Sequence, residues 1–236
     1  MPKKEDGALP TEDDRKDSLP VSAFTKHLQT PTIALHTETQ SYNIHPTLLQ
    51  TKCPILYALL TNPNYECQEF GDLYLQRNQG IVSAFLDWIY TGTYPLNIDV
   101  DDDRVATPTS TDDKVPKDQA ITNSLPHHIR VYIFAGSYHI TRLKDIAFKH
   151  ICYITDDYHW CASDCITTSP LIASARLALT SLAIVDPLTS CILELMASKI
   201  EKVKMEAGFP ALIRDFPDFA LGLIDLLGPF DKSDGW

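Results

Sequence analysis

The spacing of apolar residues predicts a short helix and then a β-hairpin near the start of the chain. Val21, Phe24 and Leu28 fall at i, i+3 and i+7, which is one face of a helix, and Pro31 ends it. From residue 33 the apolar period changes to two and stays so until residue 44, with a polar link in the middle. The alternation over residues 33–44 therefore predicts two strands joined as a hairpin.

Helical spacing returns after the hairpin and leads to the clearest helix of the chain. Residues 48–60 predict two short helices separated near Pro54, and residues 70–75 predict a third strand. Apolar residues then recur at helical spacing from 81 to 90, and Gly92 follows them. Because glycine enters the left-handed conformation without strain, we expect it to end this helix.

Two stretches are too polar to contribute to a core. Residues 1–19 are charged and end at a proline, which predicts a disordered tail. Residues 93–126 are rich in aspartate and proline, which predicts a long acidic loop. Beyond it, the apolar spacing predicts one helix over residues 127–138 and another from residue 143 onwards.

The last third of the chain has a helical period throughout. Asp186-Pro187 predicts the start of a helix, because a carboxylate caps the first N–H groups and proline suits the first turn. The buried stripe expected after it comprises Leu188, Ile192, Leu195, Met196 and Val203. A break is expected at residues 208–210, and the buried stripe of the last helix comprises Phe219, Leu223, Leu226 and Leu227. Together with the short strands nearer the start, these helices predict an α+β fold.

Charge and cysteine content narrow the range of partners and compartments. The formal net charge is −11, which argues against non-specific binding of nucleic acid and of anionic membranes, since both need a basic surface. The start of the chain has no apolar signal segment, and the most apolar long stretch, residues 170–184, is too short to span a membrane. The six cysteines are dispersed, as expected of buried thiols. We therefore expect an intracellular protein, of the nucleus or cytoplasm, that binds neither nucleic acid directly nor membranes.

Two patterns imitate metal sites without meeting their requirements. His159, Cys161 and Cys165 could form one half of a zinc site, but the sequence supplies no second pair of ligands at a suitable spacing. Residues 99–103 imitate the start of a calcium loop that lacks its glycine and its bidentate glutamate. We expect packed thiols and a solvated acidic loop, and neither a metal nor a cofactor.

The sequence carries none of the common signature motifs of enzymes. It has no nucleophile elbow, no phosphate-binding glycine loop, no dinucleotide fingerprint and no zinc-protease helix. His45 is a candidate catalytic base, although no motif around it supports that role. We therefore expect a protein without catalytic residues.

Several segments of the chain resemble BTB/POZ domains and occur in the order that those domains have. Residues 45–49 (HPTLL) and 52–56 (KCPIL) resemble the "H-x-x-L-L…S-x-Y-F" run, and residues 85–92 (FLDWIYTG) resemble the "F-L-x-W-x-Y-T-G" helix end. Residues 130–144 resemble the "V-Y-x-x-A-x-x-Y-x-I-x-x-L" helix pair. The acidic insertion before that pair, and the FPDFA run at 216–220, are similar to fungal members of the family.

The resemblance covers residues 20–155 and implies a small sheet capped by helices, with the acidic loop as an insertion. Residues 156–236 then form a helical C-terminal extension. The chain departs from the family pattern in two ways. Residues 29–32, just before the first strand, supply no aspartate to pair with Lys52, and Cys53 and Leu56 stand in place of serine and phenylalanine. The residues that carry the resemblance are His45, Lys52, Trp88, Tyr90, Gly92, Tyr132, Ala135, Tyr138 and Leu143. For His45, the resemblance implies a structural histidine in place of a catalytic base.

For function, the resemblance implies a non-catalytic protein–protein interaction module that acts in dimerisation or as an adaptor. One output of such modules is the recruitment of substrates to a cullin ubiquitin ligase. Regulation of transcription through a protein partner is the alternative output. An enzyme or a zinc protein on a helical fold is the competing class.

The resemblance also implies a homodimer in which the N-terminal helix lies across the partner copy. Val21, Phe24 and Leu28 are the expected interface residues on that helix, and they would dock on the Leu48 and Leu49 region of the other copy. The alternative is that this apolar helix face belongs to the core of its own subunit.

Overall fold

The computed structural model describes residues 21–37, 40–61, 73–74, 79–96, 117–160 and 168–228. The chain divides into two units, one of residues 1–95 with 138–143 and the other of residues 96–137 with 144–236. At a coarse level the fold is α+β, as expected, since a small sheet occurs beside many helices. The predicted tail at 1–19 lies outside the described residues.

The first unit begins with the predicted helix and hairpin. Helix α1 spans Val21–Leu28, and strands β1 (Ile33–His36) and β2 (Ser41–Ile44) pair antiparallel, with Leu35 opposite Tyr42. Backbone and side-chain hydrogen bonds between Thr37 and Gln40 close the turn. The hairpin prediction is therefore confirmed.

A third strand completes the sheet from the other side of β1. Strand β3 (Leu73–Tyr74) runs parallel to β1, so the strand order is β2-β1-β3. A parallel neighbour requires a crossover connection, and the helices that follow the hairpin lie in that connection. Of the residues predicted for this strand, Phe70 and Leu75 lie outside the described ones.

Three helices of the first unit follow the sequence pattern closely. Helices α2 (Pro46–Lys52) and α3 (Pro54–Thr61) are separated at Cys53, where the following proline cannot continue the hydrogen-bonding pattern of α2. Helix α4 spans Gln79–Thr91, and Gly92 follows it with a φ of 86°. Both the break near Pro54 and the glycine stop are confirmed.

In the second unit the predicted acidic loop ends earlier than expected. Helix α5 spans Lys117–Ser137, so residues 117–126 are helical, and the prediction of a loop up to 126 is wrong there. Pro126 suggested a boundary, because proline normally breaks a helix interior. In the structure Ser124 and Leu125, just before it, are fully buried, and their packing outweighs the local cost of the proline. Residues 97–116 lie outside the described residues.

The remaining helices follow α5 in close succession. Their bounds are α6 Thr141–Trp160, α7 Thr168–Ser181, α8 Pro187–Ser198, α9 Ile200–Val203, α10 Phe209–Asp215 and α11 Pro217–Leu227. Asp186 caps α8 by accepting a hydrogen bond from the backbone N–H of Leu188 (3.0 Å), as predicted. Val203 is buried as expected but belongs to α9, since a turn at Lys199 ends α8.

The last helix buries only part of its predicted stripe. Phe219 and Leu223 are buried, whereas Leu226 and Leu227 are about half exposed. Helix α11 packs against α8 and α10, so only the face turned towards them is covered. The prediction of a continuous buried stripe to residue 227 is therefore wrong at its end.

The two units also divide the chain differently from the boundary drawn at residue 155. Helix α5 packs along α7, and the part of α6 beyond residue 143 belongs to the same unit. The C-terminal helices therefore share a unit with α5 instead of forming a separate extension.

Among the helices in the described part of the chain, none is both long and apolar enough to cross a bilayer.

Candidate protein-interaction site

Helix α1 is attached to the first unit at its C-terminal end. Nδ1 of His27 lies 2.7 Å from Oγ1 of Thr47, at the start of α2, and the hydroxyl group of Thr30 donates to the carbonyl oxygen of His27 (2.7 Å). Leu28, the next residue, keeps 53% of its surface exposed. Val21 and Phe24 lie on the same helix, and their side chains are outside the described part of the structure.

The expected docking surface for α1 needs a correction. Leu48 and Leu49 are both fully buried within the chain, because α2 packs its apolar side against α3 and α4. The residues that α2 exposes next to them, Gln50 and Thr51, are polar. Leu48 and Leu49 therefore stabilise their own subunit and offer no apolar surface to a second copy.

His45 forms a local polar contact with Tyr90 of helix α4. The hydroxyl group of Tyr90 accepts a hydrogen bond from the backbone N–H of His45 (3.3 Å) and lies 2.9 Å from its Nδ1. The two rings meet edge to face at 6.0 Å between centroids. Burial raises the pKa of Tyr90, while the His45 backbone hydrogen bond lowers it. The pair connects the start of α2 to the end of α4, which agrees with a structural role for His45.

Lys52 lies beside an aromatic ring of the same unit. Its Nζ is 5.5 Å from the ring centroid of Trp88, which is buried and packs near Phe85. A cation over an indole face is a favourable arrangement. Lys52 is thus paired with an aromatic ring, and residues 29–32, directly before β1, contain no aspartate.

Cys53, next to that pair, is a buried thiol. Burial raises its pKa to about 11, and a weaker backbone hydrogen bond to Leu56 acts in the opposite direction. At neutral pH the group is therefore a protonated thiol and a poor nucleophile. For Cys53, this agrees with the interpretation as a packed thiol.

The remaining residues of the resemblance occupy α5 and the segment after it. Tyr132 and Ala135 are buried on α5 in the second unit, Leu143 is buried on α6 in the first, and Tyr138 is half-buried. Gly92 has the positive φ that its position after α4 suggested.

A polar cluster around Asp186 was only partly visible from the sequence. The carboxylate accepts a hydrogen bond from the hydroxyl group of Tyr132 (2.7 Å), and Nζ of Lys144 lies 3.4 Å from its second oxygen. The same lysine lies 4.5 Å from the ring centroid of Tyr132. Burial raises the pKa of Tyr132, and the hydrogen bond to Asp186 adds to the effect. The sequence signal was limited to the N-cap motif, because the partners are far apart along the chain.

Three histidines of the second unit lie close together, which their spacing in the sequence did not indicate. Nε2 of the buried His128 donates to the carbonyl oxygen of Leu96 (3.0 Å), and its ring lies 5.0 Å from that of His150 and 5.5 Å from that of His127. Burial lowers the pKa of His128 to about 3, with further contributions from His150 and His127, and burial lowers the pKa of His150 to about 4. His128 and His150 are therefore neutral at physiological pH and pack as uncharged rings.

The possible metal ligands of the sequence are only partly described. Cys161 and Cys165 lie outside the described residues, as does the side chain of His159. Within the described residues, no three histidine, cysteine or acidic side chains come together in a way that could hold a metal ion.

Two comparisons with known proteins give no match. No protein-family model matches the chain, and a search of curated proteins finds no match.

Proposed function

We propose that this chain is a non-catalytic protein-interaction module of the BTB/POZ type that associates as a homodimer through α1. The observation that carries the proposal is the exposure of Leu28 at 53% on a helix whose end is held by the His27–Thr47 hydrogen bond. With Val21 and Phe24 on the same predicted helix face, Leu28 would belong to an apolar patch, and contiguous apolar patches mark protein-interaction sites.

The order of elements in the first unit supports the BTB/POZ type. A helix, an antiparallel hairpin, two short helices, a strand parallel to β1 and a further helix follow one another. The motif residues His45 and Tyr90 contact each other across this arrangement, so two segments that carry the resemblance are neighbours in space.

Symmetry determines how such a dimer is built. In a two-fold dimer the same patch is used twice, so a single substitution in α1 affects both halves of the interface. Since Leu48 and Leu49 are buried, we place the contact on α1 of both copies, with Leu28 at its centre.

As output, we propose that the dimer acts as an adaptor between proteins. Recruitment to a cullin ubiquitin ligase is the first case to test, by co-migration of the purified chain with the N-terminal region of a cullin in size-exclusion chromatography. Regulation of transcription through a protein partner is the alternative.

Sedimentation velocity tests the dimer directly. At tens of micromolar, where weak association becomes visible, the wild-type chain is expected to be a dimer. Leu28→Asp places two charges in the interface and should yield a monomer in which each subunit is still folded. Gln29→Asp adds the same charge one residue further on, beyond the helix, and should remain a dimer.

Two outcomes contradict the proposal. One is a wild-type chain that is already monomeric at that concentration. The other is a Leu28→Asp variant that loses its folded structure, since Leu28 would then belong to the subunit core. Phe24→Asp serves as a second variant on the same predicted helix face.

A further inference from the structure

The second unit contains an open cleft where the end of α7 meets the junction of α10 and α11. Its volume is about 240 Å³, and its lining includes Leu179, Leu182, Ile184, Phe216, Pro217 and Asp218. Small-molecule sites usually have roughly 300–1,000 Å³. The cleft is therefore of a size for one bulky side chain, and most of the named lining is apolar.

An exposed apolar strip continues from the cleft along α11. Leu221 and Ile224 are 61% and 62% exposed, and with Pro217 they fall at i, i+4 and i+7 on one face of the helix. The opposite face is covered, since Phe219 and Leu223 are buried. The cleft and the strip thus form one continuous surface, which we call the α11 surface.

Acidic groups border this surface. Asp218 lies at the cleft, and Asp225 follows Ile224; both are exposed, and neither forms an ion pair with another described residue. Asp215, which also lines the cleft, pairs with both Arg176 (2.8 Å) and Arg214 (3.4 Å), so this end of the cleft carries no net negative charge. The unbalanced negative charge of the α11 surface is therefore limited to Asp218 and Asp225, which lie seven residues apart on one side of α11.

This charge determines which partner fits. A second copy of the chain would bring the same aspartates towards each other, and the chain as a whole has a net charge of −11. Complementary potentials favour association and like charges oppose it. The α11 surface is thus better suited to a basic partner than to itself.

We propose that the α11 surface docks a short segment of a partner protein that combines bulky apolar side chains with lysine or arginine. One apolar side chain enters the cleft, a second covers Leu221 and Ile224, and a basic group lies beside Asp218. This inference goes beyond the proposed dimer and does not depend on α1.

Two synthetic peptides provide the probe. Each is an amphipathic peptide of about twelve residues, three helical turns, with tryptophan and leucine on one face. One peptide has lysine at the flanking positions and the other has glutamate there. Binding to the full chain is followed by the fluorescence anisotropy of a label. We expect the lysine peptide to bind at least about 10-fold tighter than the glutamate peptide, a difference of about 1.4 kcal/mol.

Variants of the chain locate the binding. Leu221→Ser and Asp218→Asn should each weaken binding of the lysine peptide several-fold, and Asp218→Asn should also reduce its salt dependence. The matched controls are Met205→Ser, which removes another highly exposed apolar side chain, and Glu201→Gln, which removes a charge on α9. Both controls should bind like the wild type.

Three results overturn the proposal. They are equal binding of the two peptides, equal loss of binding in the control variants, and conversion of a wild-type dimer to monomer by Leu221→Ser. The last result would mean that a second copy occupies the α11 surface. Loss of dimer in Leu28→Asp with intact peptide binding would leave both proposals standing, so the two can fail separately.

Discussion

His45 and His128 illustrate how single polar residues acquire their role from their neighbours. A histidine in a sequence without enzyme motifs has no assigned chemistry, and both residues prove to be hydrogen-bonded within the fold, His45 to Tyr90 and His128 to the carbonyl of Leu96. Buried polar groups are usually paired in this way. The partner of each lies more than 30 positions away, so spacing alone could not reveal it.

The buried histidines predict a loss of stability on acidification. The pKa of His128 is lowered to about 3 and that of His150 to about 4 in the folded chain, against about 6.5 in the unfolded chain. The unfolded chain therefore binds more protons as the pH falls below about 6.5, and stability decreases until the folded pKa values are reached. At pH 5 each histidine should cost on the order of 2 kcal/mol.

Urea unfolding at neutral pH and near pH 5 measures this effect. His150→Gln should lose part of the pH dependence, because it removes one titrating group, while its carboxylates titrate as in the wild type. His139→Asn is the matched control, since His139 is exposed and asparagine tolerates its φ of 53°. If the free energy of unfolding depends on pH identically in the wild type and in His150→Gln, the lowered pKa of His150 is contradicted.

Phe85 is the clearest core residue of α4. It is fully buried, as the helical spacing predicted. Phe85→Ala should lower the free energy of unfolding by about 3–5 kcal/mol, because it removes a large buried side chain and leaves a cavity. Ser83→Ala on the exposed side of α4 should change it by less than about 0.5 kcal/mol. A nearly unchanged urea midpoint for Phe85→Ala would contradict this placement.

Helices in this chain are defined by capping signals and by tertiary packing in different proportions. The start of α8 at Asp186-Pro187 and the end of α4 at Gly92 follow from local backbone chemistry, so the sequence predicts both. The start of α5 does not, because a helix through Pro126 is unfavourable locally and depends on the burial of Leu125. Local rules succeed where the backbone decides and fail where burial decides.

Asp186→Ala should destabilise the second unit beyond the loss of a helix cap. A cap contributes about 1 kcal/mol, and the hydroxyl group of buried Tyr132 would lose its acceptor at a further cost of about 1–3 kcal/mol. In the double variant Asp186→Ala/Tyr132→Phe, the cost of the unpaired hydroxyl group should be absent, because phenylalanine has no donor that needs an acceptor. A double-mutant cycle by urea unfolding measures this coupling. A coupling energy near zero would contradict a stabilising hydrogen bond between Asp186 and Tyr132.

At the scale of the whole molecule, the chain assigns its two proposed contacts to different units. Helix α1 with Leu28 belongs to the first unit, and the α11 surface belongs to the second. One contact is proposed for a second copy and the other for a basic segment of another protein. Such a division is consistent with an adaptor, which needs separate surfaces for its own assembly and for its partner.

The acidic segment lies between residues 96 and 117 and offers a test at this scale. Replacing residues 97–116 by a short Gly/Ser linker should leave the melting temperature nearly unchanged, because the segment has little apolar surface to bury. Extending the deletion to residue 124 should lower it clearly, since it removes the start of α5 and buried Ser124. Leu96 is kept because its carbonyl accepts the hydrogen bond from His128. An equal fall in melting temperature for both deletions would contradict the start of α5 at residue 117.

The sequence by itself determined the hairpin at 33–44, the helix at 81–90 with its glycine stop and the cap of α8. In each case, periodicity or backbone chemistry acts over neighbouring residues. Only the tertiary structure decided that Leu48 and Leu49 are core residues, that α5 extends through Pro126 and that Leu221 and Ile224 remain exposed. An apolar stripe states that a face can be buried, but which surface covers it depends on residues distant in the chain. The interaction surfaces therefore emerge only when the helices are packed.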